Sequence, residues 1–152
     1  LVTERAPPAV PEIDVRKIET FGEFLQGLEI ELGSSVFTED GAARRRVEAA
    51  ETYARRRSRI GGEWLAFLDG KPVAWAGALA GPRGLYLAGG ATLPEARRQG
   101  CYRALVRARW DFAVERGTPA LVVHAQETSR PILERCGFER ICTMYELESG
   151  PL

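Results

Sequence analysis

The sequence predicts a single α/β domain with a mixed, mostly antiparallel sheet and helices on both of its faces. The first observation is the order of segments along 152 residues: strand, two helices, three strands, helix, strand, helix, strand. The second is Asp69-Gly70, a two-residue hairpin signal that makes its flanking strands antiparallel. The third is the apolar run Ala120–His124, which is typical of a strand buried in the centre of a sheet.

Composition excludes several classes of function. The 21 basic and 21 acidic residues give a formal net charge of zero, which argues against a general nucleic-acid or membrane-surface binder. No apolar run approaches the ~18 residues of a membrane span, and no signal-peptide pattern is present. Three cysteines and one histidine make neither a zinc set nor a disulfide framework. We expect a cytoplasmic protein without a metal, a nucleic-acid partner or a membrane partner.

The first part of the chain predicts a linker followed by a folded unit. Residues 1–13 are proline-rich and aperiodic, so we expect a tail or linker, with the domain spanning residues 14–152. A chain that starts at Leu1 leaves open that the domain is the C-terminal part of a longer protein. Asp14–Ile18 is a short strand candidate, and Thr20 and Glu23 have the spacing of a capping box before an amphipathic helix.

A second helix is predicted from about Asp40 to Arg57, with a narrow stripe of small apolar residues. Its other faces carry two runs of arginine, Arg44–Arg46 and Arg55–Arg57. Such runs are usually a solvated face. The alternative is a cationic rim that favours acidic substrates.

Three strands follow, Trp64–Leu68, Pro72–Ala80 and Leu85–Leu93. The last contains Gly89-Gly90, an unusual pair inside a strand. Paired glycines there indicate a β-bulge or a close approach of another backbone.

The stretch Ala91–Val106, ATLPEARRQGCYRALV, is the centre of the prediction. A strand end leads through Pro94 and the basic loop Arg97-Arg98-Gln99-Gly100 into a helix that starts near Cys101 and ends near Arg116. The free N–H groups and dipole of a helix N-terminus attract anions, and the arginines add charge at the same end. The alternative is an ordinary strand-to-helix connection.

This stretch resembles the acetyl-CoA-binding signature of the GNAT family of N-acetyltransferases, Arg/Gln-x-x-Gly-x-Gly/Ala. Ser129–Phe138, a short helix region that ends in Gly-Phe, resembles the second signature of that family. The resemblance implies a GNAT-type domain with a splayed central strand pair. It also implies acetyl-CoA as cosubstrate and direct attack by a primary amine. Tyr102 departs from the signature, because a bulky side chain stands where the family has Gly or Ala.

The resemblance also implies site residues. The expected cofactor-binding residues are Thr92, Leu93, Arg97, Arg98, Gln99, Gly100, Cys101, Tyr102 and Gln126. The oxyanion donor would be a backbone N–H near Thr92 or Leu93. Leu133 stands where relatives commonly have a proton-donating tyrosine, so Tyr102 is a substitute donor or a packing residue, and water is a third source of the proton.

A general base is harder to assign from the sequence. His124 is one candidate because imidazole is a common general base in proteins, although a histidine at a strand end is more often structural. Glu29, Glu31 and Glu127 are alternatives.

The hypothesis is an acetyl-CoA-dependent N-acetyltransferase acting on an undetermined amine. The alternative is a non-catalytic acyl-CoA-binding domain, a sensor or half of a larger enzyme. The region Phe138–Leu147 leaves little room for two final strands. We therefore expect very short strands, or one that is absent or supplied by a partner, and a homodimer stays open.

Overall fold

The computed structural model describes residues 1–34 and 37–145. In that part of the chain, six strands form one sheet in the order β1-β6-β5-β4-β3-β2, and neighbours are antiparallel except for the parallel pair β5 and β6. The strands are β1 Val2–Thr3, β2 Asp14–Lys17, β3 Gly61–Leu68, β4 Lys71–Ala80, β5 Leu85–Thr92 and β6 Leu121–Val122. The helices are α1 Phe21–Ser34, α2 Glu39–Val47, α3 Ala49–Arg57, α4 Cys101–Glu115 and α5 Arg130–Arg135, with a 3₁₀ turn at Pro94–Ala96. The predicted α/β architecture is confirmed.

Helices pack on both faces of the sheet. On one face, α1 places Phe24 and Leu28 against Leu65 and Trp75. On the other, Leu105 of α4 is fully buried among the alanines of β4. The predicted capping box starts α1, because Glu23 accepts from the backbone N–H of Thr20 while the Thr20 hydroxyl accepts from the N–H of Glu23. No helix in the described residues is long and apolar enough to cross a membrane.

The hairpin between β3 and β4 is confirmed. Asp69 and Gly70 both have positive φ, 48° and 74°, which matches the right-handed twist of the strands they join.

The bulge predicted at Gly89-Gly90 is also present. Ala76 pairs with Gly90 and Gly77 pairs with Ala88, so Gly89 is the extra residue, with φ of 78°. Only glycine adopts this conformation readily, and a Cβ at Gly89 would stand 3.2 Å from the Trp75 ring.

The central strand pair is splayed. β6 pairs with β5 at Leu85 and Tyr86, and no described strand pairs with that edge of β5 from Leu87 to Thr92. This divergence explains why β6 covers only part of the predicted strand Ala120–His124. The gap lies beside the bulge.

Residues 1–13, expected as a tail or linker, contribute to the fold instead. β1 pairs with β6, and Val10 and Ile13 are buried in the core on the α4 side. Without β1 the outer edge of β6 would have no strand partner among the described residues, so even a two-residue strand gains hydrogen bonds there.

One other expectation needs correction, whereas the described residues agree with the expectation of very short or absent final strands. The predicted helix Asp40–Arg57 is two helices that meet at Glu48. Of the two, only α3 has a buried residue, Ala49, and its Tyr53 ring packs on Phe24 of α1, whereas α2 is joined to α1 by ion pairs of Arg45 and Arg46. In the predicted final strand region, Glu139 forms an isolated bridge with Val2. Residues 140–145 form no strand, and residues 146–147 lie outside the described part of the chain.

Candidate active site

The loop before α4 presents backbone N–H groups. Arg98 and Gly100 both have positive φ, 66° and 92°, and Gly100 is the N-cap of α4 without a side-chain capping bond in the described structure. The first acceptor in the helix is the Gly100 carbonyl, which receives the Ala104 N–H, so the N–H groups of the first turn have no helical acceptor. This arrangement of left-handed residues at a helix start is an anion-binding concavity.

A cleft of about 940 Å³ opens at this helix start, between the free edge of β5 and α5. Six of the predicted cofactor-binding residues line it: Thr92, Arg97, Arg98, Gly100, Cys101 and Tyr102. The other three, Leu93, Gln99 and Gln126, do not. The Gln99 amide donates to the Glu95 carbonyl and closes the loop, and the Gln126 carbonyl accepts N–H groups at the start of α5.

The register decides between the two candidate oxyanion donors. The Leu93 N–H donates to the Val73 carbonyl at 2.9 Å, so Leu93 is not a free donor. Successive N–H groups of a strand point to opposite edges, and Thr92 pairs with Ala74 in the alternate, non-hydrogen-bonded position. The Thr92 N–H therefore points away from β4, into the gap left by the splay.

Tyr102 lies under the bulge beside a buried arginine. Its ring approaches Gly90, where an added Cβ would stand 3.6 Å from Tyr102 Cε2. Two turns later on α4, Arg109 is 1% exposed and donates to the Leu105 and Gly77 carbonyls. Its Nη2 has no hydrogen-bond partner within the described residues.

These two side chains influence each other electrostatically. Burial raises the pKa of Tyr102, and the Arg109 guanidinium acts in the opposite direction. Burial lowers the pKa of Arg109 to about 10. Tyr102 therefore keeps its proton at neutral pH, and the residue lines the cleft.

The candidate general bases are not brought to this cleft. His124 is exposed and lines neither cavity described here. Glu29 and Glu31 form ion pairs of 2.7 Å with Arg46 and Arg45. The hydrogen bond from Arg46 lowers the pKa of Glu29. Burial raises the pKa of the Cys101 thiol, which suits a packing role.

A second cavity of about 380 Å³ lies on the α1 and α3 side of the sheet. Ala88, which precedes the bulge, lines it, whereas Gly90, which follows the bulge, lines the first cleft. Glu63 forms one wall, and its Oε1 accepts from Arg56 Nη1 at 2.6 Å and from Trp75 Nε1 at 3.1 Å. The two cavities therefore meet the same strand on either side of Gly89.

Sequence reasoning missed Glu63. The available signal was the alternation of β3. Glu63 is two residues from the buried Leu65, so both side chains point to the same face of the sheet. A carboxylate in phase with buried apolar residues needs a partner or a cavity. In the described residues, no group of histidine, cysteine and carboxylate side chains could hold a metal ion.

Comparisons with known proteins agree on the fold. The chain aligns by structure with an acetyltransferase of Trypanosoma brucei at a TM-score of 0.71 and 18% identity, covering 90% of this chain and 99% of the other. It aligns with the aminoglycoside antibiotic 6′-N-acetyltransferase of Acinetobacter baumannii at 0.69 and 17% identity, covering 91% and 99%.

A third structure, the ribosomal-protein-S18-alanine N-acetyltransferase of Escherichia coli, aligns at a TM-score of 0.66 and 20% identity, covering 86% of this chain and 79% of the other. No curated protein matches the sequence. Residues 36–138 match the model of the acetyltransferase (GNAT) family, which spans both the anion-binding loop and the Gly-Phe segment. The chain therefore belongs to the GNAT family of acetyltransferases.

Proposed function

We propose that the protein transfers the acetyl group of acetyl-CoA to a primary amine that attacks the thioester directly. The observation that carries this proposal is the position of the Gly89 bulge between two cavities, with Ala88 lining one and Gly90 the other. A thioester laid along the free edge of β5 would be accessible from the second cavity. Neighbouring folds support the reaction class, since one was determined with a CoA-based bisubstrate analogue.

The cleft fits the cofactor by its donor chemistry. The pyrophosphate would be held by the N–H groups at the start of α4, in the concavity formed by Arg98 and Gly100. The Arg97 guanidinium does not point its donors at the anion site, because it donates to the carbonyls of Thr92 and Ser34. Arg97 therefore connects the loop to the end of α1. Most of the donors of the anion site would then be backbone N–H groups.

The reaction places two demands on the residues at the bulge. Negative charge develops on the thioester oxygen during attack, and the Thr92 N–H, which faces the gap, would donate to it. The departing sulfur then needs a proton. The Tyr102 hydroxyl would provide it: the amine nitrogen bonds to the carbonyl carbon, the C–S bond breaks, and the proton of the Tyr102 O–H passes to the sulfur. The phenolate then recovers the proton that the attacking nitrogen loses, directly or through water.

The rival is a domain that binds acyl-CoA without turnover. Thiol release from acetyl-CoA, measured over a panel of small amines, amino acids and peptides from pH 6 to 9, separates the two. An enzyme releases thiol with at least one acceptor, and faster at alkaline pH because more of the amine is neutral. Tight acetyl-CoA binding without thiol release at any pH would overturn the proposal.

A further inference from the structure

We propose that the cavity beside Glu63 selects amines whose own molecule carries an anionic group, such as a carboxylate or a phosphate; this inference rests on the proposed acetyl transfer. The cavity is the smaller of the two described above. Its volume of about 380 Å³ is at the lower end of small-molecule sites, so the acceptor is a small molecule or the end of a chain.

The lining charges are predominantly positive. Four basic residues line the cavity, Lys17, Arg56, Arg57 and Arg59, against one carboxylate, Glu63. Arg56 neutralises Glu63 at 2.6 Å. Arg57 reaches the exposed Glu19 at 3.5 Å, a surface pair of little energetic weight.

One cation of the cavity is left without a carboxylate partner. Lys17 and Arg59 form no salt bridge with any described residue, but the Lys17 ammonium lies 4.5 Å from the centre of the Phe112 ring, on the α4 side of the sheet and away from the cavity. Arg59, two residues beyond the end of α3, is exposed and lines the cavity, so it is the unpaired cation there. An anionic group on the acceptor would neutralise this excess charge, whereas a second ammonium would be repelled.

The sheet residues that line the cavity leave open space between the cations near α3 and the bulge of β5. Glu63, Gly77 and Ala88 stand side by side on three adjacent strands. A Cβ at Gly77 would stand 2.8 Å from the Ala88 carbonyl oxygen and 3.8 Å from Glu63 Cγ. The missing side chain keeps the space over β4 open, so an amine can reach β5 while its anionic end stays near α3.

The first experiment compares three acceptors of equal length: δ-aminovalerate, pentylamine and cadaverine. Their distal groups are a carboxylate, a methyl group and a second ammonium. We expect kcat/KM to fall in that order. The carboxylate should gain about tenfold in kcat/KM over the methyl group, the equivalent of about 1.4 kcal/mol. The preference should shrink in ~0.5 M salt through screening.

Variants locate the preference in the cavity. Arg59→Glu should abolish or invert the ranking of δ-aminovalerate and cadaverine. Arg44→Glu, on an exposed α2 position that lines neither cavity, makes the same charge change and should leave the ranking intact. Melting temperature and CoA affinity confirm that both variants are folded. A peptide series that differs only in acidic residues near its N-terminus distinguishes a chain end from a small molecule.

The outcomes separate this inference from the proposed function. Turnover with equal kcat/KM for the three acceptors, or with cadaverine preferred, overturns the inference and leaves the acetyltransferase intact. If no amine is turned over, the proposed function fails. Calorimetry with CoA-loaded protein then still tests the cavity, because δ-aminovalerate must bind more tightly than cadaverine.

Discussion

The two cavities that flank Gly89 are built from different parts of the chain. The larger cleft is mainly a backbone construction, in which Arg98 and Gly100 hold left-handed conformations and the start of α4 presents N–H groups. The smaller cavity is a side-chain construction, in which Glu63 is held by Arg56 and Trp75 from separate elements. Under the proposed function, the larger cleft would bind the cofactor's phosphates through its backbone geometry, and the smaller cavity would distinguish acceptors by their charge.

This difference predicts different sensitivities to mutation. A backbone site fails when a residue cannot adopt the required φ, and tolerates loss of the side chains on it. A side-chain site fails when a single donor or charge is removed. Four substitutions test this distinction.

The largest effect is expected at Tyr102, the side chain of the cleft that we propose as proton donor. Tyr102→Phe should lower kcat by ~10²–10⁴, the usual range for general acid–base catalysis, with CoA affinity nearly unchanged. Steady-state kinetics and calorimetry measure the two quantities. Tyr86→Phe is the control, since Tyr86 is an exposed tyrosine on the same β5 strand that Tyr102 faces. An unchanged kcat in Tyr102→Phe would assign the proton to water.

Gly100→Asp should reduce CoA affinity at least about tenfold, because it adds a negative charge and a strained left-handed residue at the phosphate site. Gly117→Asp is the matched control. Gly117 also has positive φ, 72°, lies just beyond the other end of α4, and has nothing within 4 Å of an added Cβ. Calorimetry on the two folded variants should show a loss of affinity in the first alone. Equal affinities would contradict the assignment of the loop.

A smaller effect is expected in the second cavity. Trp75→Phe removes the hydrogen bond to Glu63 and should raise the acceptor KM by roughly 2–10-fold, the equivalent of about 0.5–1.5 kcal/mol. CoA affinity should stay within error. Trp110→Phe, in the core on the α4 side, controls for the general loss of an indole. A parallel loss of CoA affinity in Trp75→Phe would show that the two cavities are not independent.

The smallest effect is expected for Arg98→Gly. Glycine adopts the φ of 66° at this position without strain, so the backbone site survives while the guanidinium is lost. CoA affinity should change by less than about threefold in calorimetry at physiological salt. A tenfold loss would mean that the arginine side chain, and not the loop backbone, binds the phosphates.

The geometry of the larger cleft could be predicted from the sequence because it depends on residues that are close together in the chain. The bulge, the loop and the start of α4 lie between Gly89 and Cys101. Gly89 and Gly100 both have positive φ, a conformation that glycine in the sequence already indicates. The choice between Thr92 and Leu93 needed the pairing of β5 with β4. If the register of β5 against β4 were shifted by one residue, the Leu93 N–H would be free and the Thr92 N–H would be paired.

The acceptor side could not be predicted in the same way. Glu63, Gly77 and Ala88 become neighbours only through the register of three strands, and the bulge itself shifts that register. Arginine patterning alone did not identify the cavity-lining residues either. Arg45 and Arg46 pair with carboxylates of α1, whereas Arg56, Arg57 and Arg59 line the cavity.

The pairing of β1 has a consequence for how the chain is made. Val2 exchanges backbone hydrogen bonds of 2.9 and 2.7 Å with Glu139, and it also pairs with Val122 of β6. These contacts join residues from opposite ends of the described chain, so β1 can pair with β6 only after Val122 has left the ribosome, and with Glu139 later still. Until Val122 emerges, β1 lacks the strand that it pairs with, while α1 and the β3–β4 hairpin are already able to fold. The nascent chain therefore exposes β1 to pairing with other chains until β6 has been made.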